Sequence, residues 1–148
     1  MHRNSDVSTG RSSCSGPSLW AVLALSAVFL CLAALFVLSP AAGADIFGIP
    51  APTGVAEGYL RAIGFRDAAL ALYLAGLAGF STKRAVSIVL GASVLIPACD
   101  VILVLTTGTA ASWQIALHAV SGICLLILAA WVSGRLRFLA PGSRRADG

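Results

Sequence analysis

What this sequence has least of is charge. Asp, Glu, Lys and Arg make up 11% of its 148 residues, while 58% are hydrophobic. A water-soluble domain of this size keeps roughly 25% of its residues charged to stay dispersed. With a mean hydropathy of +0.92, the composition argues against a soluble fold. The length allows one compact domain and leaves no room for a second. A basic face interleaved with aromatic residues is also missing, and the formal charge of +4 sits mainly on the tails and one short loop. Nucleic acid is therefore not an expected partner. Metal-ligand and redox spacings are absent too. The cysteines, Cys14, Cys31, Cys99 and Cys124, form no C-x-x-C pair, and three of them lie inside apolar runs. They read as small hydrophobes packed in lipid or protein, with no disulfide, metal or cofactor expected.

What the chain does have is long apolar runs. Four of them cover about residues 18–38, 57–80, 84–107 and 112–134. Each has about the 20 residues that a helix needs to cross a hydrocarbon core of roughly 30 Å. In lipid the backbone must satisfy its own hydrogen bonds, so these runs are helices. The expected fold class is all-α, an integral membrane four-helix bundle over residues 18–134. Residues 1–17, rich in Ser, Gly, Asn and Arg, are expected to be a disordered cytoplasmic tail, and residues 135–148 a basic one. Arg3 and Arg11 before an apolar run, with Ala42-Gly43-Ala44 after it, resemble a secretory signal. That run is nearer twenty residues than the 7–15 or so of a signal core, so a retained first helix is expected.

Orientation follows from Lys and Arg in the loops. Arg3 and Arg11 lie in the N-terminal tail, Lys83 and Arg84 between the second and third spans, and Arg135, Arg137, Arg144 and Arg145 in the C-terminal tail. The links at 39–56 and 108–111 carry neither residue. The alternation predicts a cell-membrane protein with both termini cytoplasmic (N-in, C-in). The long first outer link carries Pro40, Pro50 and Pro52 around an apolar Ile46-Phe47-Gly48-Ile49 core. Two readings stand for it: a segment that lies in the interface or caps the bundle, and a solvated loop. Trp20, Trp113 and Trp131 near the span ends read as interfacial anchors.

Inside the spans stand Arg61, Arg66 and Asp67 in the second, Asp100 in the third and His118 in the fourth. A central Arg or Asp costs about 2.5–3.5 kcal/mol on insertion scales, so such groups turn inward and find partners. At about 1.5 Å of rise per residue, Asp67 lies some 15 Å below Glu57, Asp100 roughly 10 Å below Thr107, and His118 about 9 Å below Ser112. All five share the outer half of the membrane, which predicts one buried polar cluster. Arg61, Gly64 and Asp67 fall on one side of their helix, with Tyr59, Arg66 and Tyr73 on the other. Arg66 and Asp67 are about 100° apart, so each is expected to pair across helices, with Arg66 or Arg61 reaching Asp100. Gln114, His118 and Ser121 form a polar stripe, and Pro97 frees the Ser93 carbonyl and predicts a kink before Asp100. Ala71, Ala75 and Gly79 read as a close-packing face.

The run Tyr59-Leu60-Arg61-x-x-Gly64-x-Arg66-Asp67, then Leu95-Ile96-Pro97-x-x-Asp100, then His118, resembles a family of small four-span bacterial membrane proteins, domain of unknown function 4267. The resemblance covers roughly residues 20–133, including Phe47-Gly48-Ile49, and departs mildly at Ala71, where a Gly is associated with the position. The family is loosely similar to DoxX-like membrane proteins. It implies the four-span topology and no activity. Three functions stay in play for the cluster: holding a lipophilic ligand or partner, intramembrane isomerase or cyclase chemistry by Asp and His, and a role as a small transporter subunit. Structural pinning by Arg–Asp pairs competes with all three. The binding reading leads, the enzyme reading leans negative, and the expected partners are the lipid bilayer and a lipophilic ligand. The oligomeric state is left open.

Overall fold

Helices fill almost all of the chain that the computed structural model describes, which is Cys14 and residues 16–135. They run α1 (Pro17–Leu38), α2 (Pro40–Phe47), α3 (Glu57–Phe80), α4 (Lys83–Ser93), α5 (Leu95–Thr107) and α6 (Ser112–Val132), with a single 3₁₀ turn at Gly54–Ala56 leading into α3. The protein is all-α. Taking the 3₁₀ turn with α3, and α4 with α5, the membrane-length apolar helices among the described residues number four, of 22, 27, 25 and 21 residues. At about 1.5 Å per residue each covers the roughly 30 Å of a hydrocarbon core. The tails expected over 1–17 and 135–148 lie outside the described residues, apart from Cys14, Gly16, Pro17 and Arg135. Pro17 belongs to α1 rather than to a tail, where its fixed φ and missing N–H suit a first helical position.

The surface of this bundle is built for lipid. Leu72, Tyr73, Phe80, Ile102 and Leu126 are all exposed, where a soluble bundle would place charge. Trp20, Trp113 and Trp131 stand exposed near helix ends. Inside, α1 packs along α3, while α4 and α5 pack along α6. Between these two halves the contacts concentrate at two apolar clusters. One joins Val22, Leu74, Val86, Leu90, Leu125 and Ala129 with Cys14, at the end of the bundle where α1 begins and α6 ends. The other joins Phe36, Ala44, Phe47, Leu60 and Val104 at the opposite end.

Close approach of α1 and α3 depends on Gly64. A Cβ there would sit 2.9 Å from the Ala33 carbonyl and 2.8 Å from Val37 Cγ2, nearer than real Cβ atoms come. The α3 face that meets α1 carries Gly64, Ala71 and Ala78 at steps of seven, all buried. This corrects the expected small-residue face: Ala71 is on it, but Gly79 is exposed with nothing near its missing Cβ. Two serines add polar contacts between helices. Ser26 Oγ donates to the Ala71 carbonyl at 2.9 Å, and Ser87 Oγ to the Ala129 carbonyl at 2.8 Å.

Proline shapes the rest. Pro97 has no N–H for the Ser93 carbonyl and clashes with it, and the helix breaks at Val94, between α4 and α5. Pro40 opens α2 immediately after α1 ends, turning the chain back at Ser39. Gly48, at φ 97°, then closes α2 in a left-handed cap that only glycine adopts freely. Of the two readings of the link at 39–56, the cap is the one found. Pro40, Gly43, Ala44 and Phe47 of α2 are buried against the bundle, and a Cβ on Gly43 would meet the Phe36 ring at 2.7 Å.

Gly64→Val is expected to destabilise the bundle by about 1–3 kcal/mol, the ordinary range for overpacking. Gly79→Ala is expected to be neutral or better, because it gains helix propensity at no steric cost. Reversible unfolding in detergent micelles distinguishes the two.

Candidate functional site: a polar cavity beneath α2

Midway between the two apolar clusters the helix pairs part and leave a cavity of about 230 Å³. Phe36 and Phe47 bound it toward α2, Leu125 bounds it toward the Val22–Leu74 cluster, and Pro97 lies on its wall. Four polar or charged side chains share this otherwise apolar hollow with Ser121: Arg66 and Asp67 from α3, Asp100 from α5 and His118 from α6. The fifth candidate, Arg61, is not there. It pairs with Glu57 one turn earlier, Nη2 to Oε1 at 3.0 Å, with its side chain 52% exposed. Glu57 and Arg61 lie on the same helix face at i, i+4, so the arginine finds its partner at the helix mouth without turning inward.

Asp67 follows Leu60 and Gly64 down the buried face of α3 and is 4% exposed. Its partner is Arg66, Nη2 to Oδ1 at 2.9 Å, with Arg66 Nε also donating to Oδ1 at 3.0 Å. The expected cross-helix pairing is thus corrected. Adjacent Cβ atoms do point about 100° apart on a helix, yet the long arginine stem curls across that step and brings its guanidinium back to the carboxylate. Asp100 is left without a hydrogen bond to Arg66, although Arg66, His118 and Asp67 all lie within electrostatic reach of it.

His118 is the pivot. Its Nε2 stands 3.0 Å from the Phe47 carbonyl oxygen. A carbonyl only accepts, so Nε2 carries the proton and donates. Nδ1 then faces Asp100, 3.8 Å from Oδ2. That distance is too long for a direct hydrogen bond and short enough for one polar atom of a guest to engage both groups. Arg66 balances Asp67, so the cavity is electrically neutral when the Asp100–His118 pair holds one proton beyond the Nε2 hydrogen. The Phe47 ring stands edge-on to the imidazole, with centroids 4.7 Å apart, and to Phe36 at 6.3 Å.

The polar stripe expected on α6 divides by task. Gln114 Nε2 donates to the Asp45 carbonyl, and its Oε1 accepts from the Ala111 N–H at 2.6 Å. Thr109 Oγ1 donates to the Gly48 carbonyl at 2.9 Å. Together with His118 on Phe47, these side chains occupy the carbonyls of Asp45, Phe47 and Gly48, which the end of a short helix leaves without helical partners. Ser121 lines the cavity while donating to Leu117. Among the described residues no group of three or more His, Cys, Asp or Glu is placed to hold a metal ion.

His118→Phe keeps a ring against Phe47 but orphans its buried carbonyl, and is expected to cost about 1–3 kcal/mol. Amide exchange over residues 44–49 should quicken in parallel. Arg61→Ala, an exposed change, is expected to stay within about 0.5 kcal/mol of the parent.

The match to known proteins follows this geometry. The model of a family described as a domain of unknown function, DUF4267, matches residues 26–132, a stretch that holds the whole cavity. No curated protein and no solved structure matches the chain. The chain belongs to the DUF4267 family.

Proposed function

We propose that this multi-pass membrane protein binds a lipophilic small molecule, whose polar head enters the cavity and engages Asp100 and His118. The observation that carries the reading is the convergence of Arg66, Asp67, Asp100 and His118, from three helices, on one largely apolar hollow. Charges are expensive at this depth. A purely structural role would be served by direct interhelical pairing, yet Asp100 and His118 stand 3.8 Å apart. At about 230 Å³ the hollow is smaller than the roughly 300–1,000 Å³ of sites that enclose a drug-sized ligand. It suits a ring or head group whose apolar tail stays among the lipids.

The same architecture supports a second reading as an intramembrane isomerase or cyclase. The Phe47 carbonyl orients the His118 ring, and Asp100 faces its other nitrogen, an arrangement that suits proton transfer. Arg66 already engages Asp67, whereas Asp100 faces the free nitrogen of His118, so Asp100 is the acid in this reading. A transporter-subunit role requires oligomers and gains no support from these contacts. A looser kinship with DoxX-like membrane proteins and a bacterial source are part of the same proposal, and neither adds chemistry to the cavity.

The proposed setting is the cell membrane with both termini cytoplasmic, which puts the cavity in the outer half. Lys83, Arg84 and Arg135 support this by gathering at the end of the bundle where Pro17 lies. A cysteine at Thr53 should react with an impermeant maleimide on intact cells, and one at Thr82 should react only after lysis. The reverse pattern would invert the topology.

Native mass spectrometry from lipid nanodiscs tests the binding itself. A discrete adduct is expected on the parent chain and on Arg61→Gln, and a loss of tenfold or more in occupancy on Asp100→Asn and on His118→Gln. A folded parent with no adduct, or equal occupancy in all four proteins, would overturn the reading.

A further inference from the structure

A second hollow lies at the opposite end of the bundle and plays no part in the reading above. It has a volume of about 880 Å³ and lies between the start of α1, the α3–α4 turn and the end of α6. Its walls bring together Lys83, Arg84 and Arg135, which are up to fifty-two positions apart in sequence. Among the described residues no acidic side chain lines it, and none of the three cations forms an ion pair. Ser87 lies on the wall, where its hydroxyl already donates to Ala129, while Ile88 and Trp131 supply apolar wall at the level where the spans end.

Three like charges held around one hollow repel each other unless an anion sits among them, and at this depth the abundant anions are phospholipid head groups. Basic pockets between membrane helices are where such head groups bind. The α4 N-terminus adds its positive dipole end on the same wall. Trp131 and Ile88, both exposed, offer the acyl chains a surface just inside the head-group level. A zwitterionic lipid, whose own cation would enter the same field, gains far less.

We propose that Lys83, Arg84 and Arg135 form a site for the phosphate of an anionic phospholipid. The site is independent of the polar cavity and does not rest on the proposed ligand function.

The test uses the full chain in neutral detergent, titrated separately with phosphatidylglycerol, phosphatidylcholine and inorganic phosphate, and read by native mass spectrometry and by thermal stability. Phosphatidylglycerol is expected to bind at least tenfold tighter than phosphatidylcholine and to raise the melting temperature. Inorganic phosphate at millimolar concentration should not displace it. The preference should vanish in the Lys83→Gln, Arg84→Gln, Arg135→Gln triple variant and survive in Lys83→Arg, Arg84→Lys, Arg135→Lys, which keeps every charge and controls for folding. Equal affinity for the two lipids, or an unchanged preference in the glutamine variant, would overturn the proposal. Saturation by inorganic phosphate with no lipid preference would overturn it as well, by assigning the anion to water.

Discussion

His118 holds the Phe47 carbonyl across the top of the cavity, and most of the site follows from that single hydrogen bond. A helix of eight residues is too short to be stable alone, and in a bilayer its terminal carbonyls find no water. The end of α2 survives there because α6 and the turn before it present Thr109, Gln114 and His118 to three successive or near-successive carbonyls. With α2 so fixed, Phe47 becomes a lid of aromatic edge contacts over the space below. The imidazole that secures the lid has one nitrogen to spare, and that nitrogen faces Asp100.

The charges obey the same scarcity of water. Asp67 is nearly sealed, so its countercharge must be at hand, and the neighbouring arginine supplies it from a half-exposed position. Asp100 and His118 are less completely matched, and the proposed ligand site rests on the 3.8 Å gap between them. Tight packing elsewhere permits this looseness. Gly64 lets α1 and α3 come into backbone contact, and the Val22–Leu74–Leu90–Leu125 cluster closes the end where α1 begins and α6 ends. The parted helices are framed on both sides by packed apolar clusters.

The spans were legible because a bilayer leaves a backbone so few choices: runs of about twenty apolar residues must be helices. Asp67, Asp100 and His118 were legible as neighbours from depth alone, since rise per residue converts sequence distance into height. Azimuth and side-chain reach were harder. Arg61 has the right height but a nearer partner in Glu57, and Arg66 bends back along its own helix, which no helical projection reveals. Phe47 escaped as a site residue because it acts largely through its main-chain carbonyl, which carries no side-chain signature. Its one trace was the apolar Ile46-Phe47-Gly48-Ile49 core of a proline-rich link, which includes a glycine able to take a left-handed cap. Gln114 looked like part of the cavity and instead serves the same lid.

An experimental density map of the chain in a lipid bilayer tests the cavity most directly. The expected map shows the α1–α3 and α5–α6 pairs parted beneath Phe47, His118 bonded to the Phe47 carbonyl, and non-protein density touching Asp100 and His118. Helices closed on each other, with Arg66 bridged directly to Asp100 and no room between them, would contradict a ligand site and leave these charges as the pins that hold the bundle together.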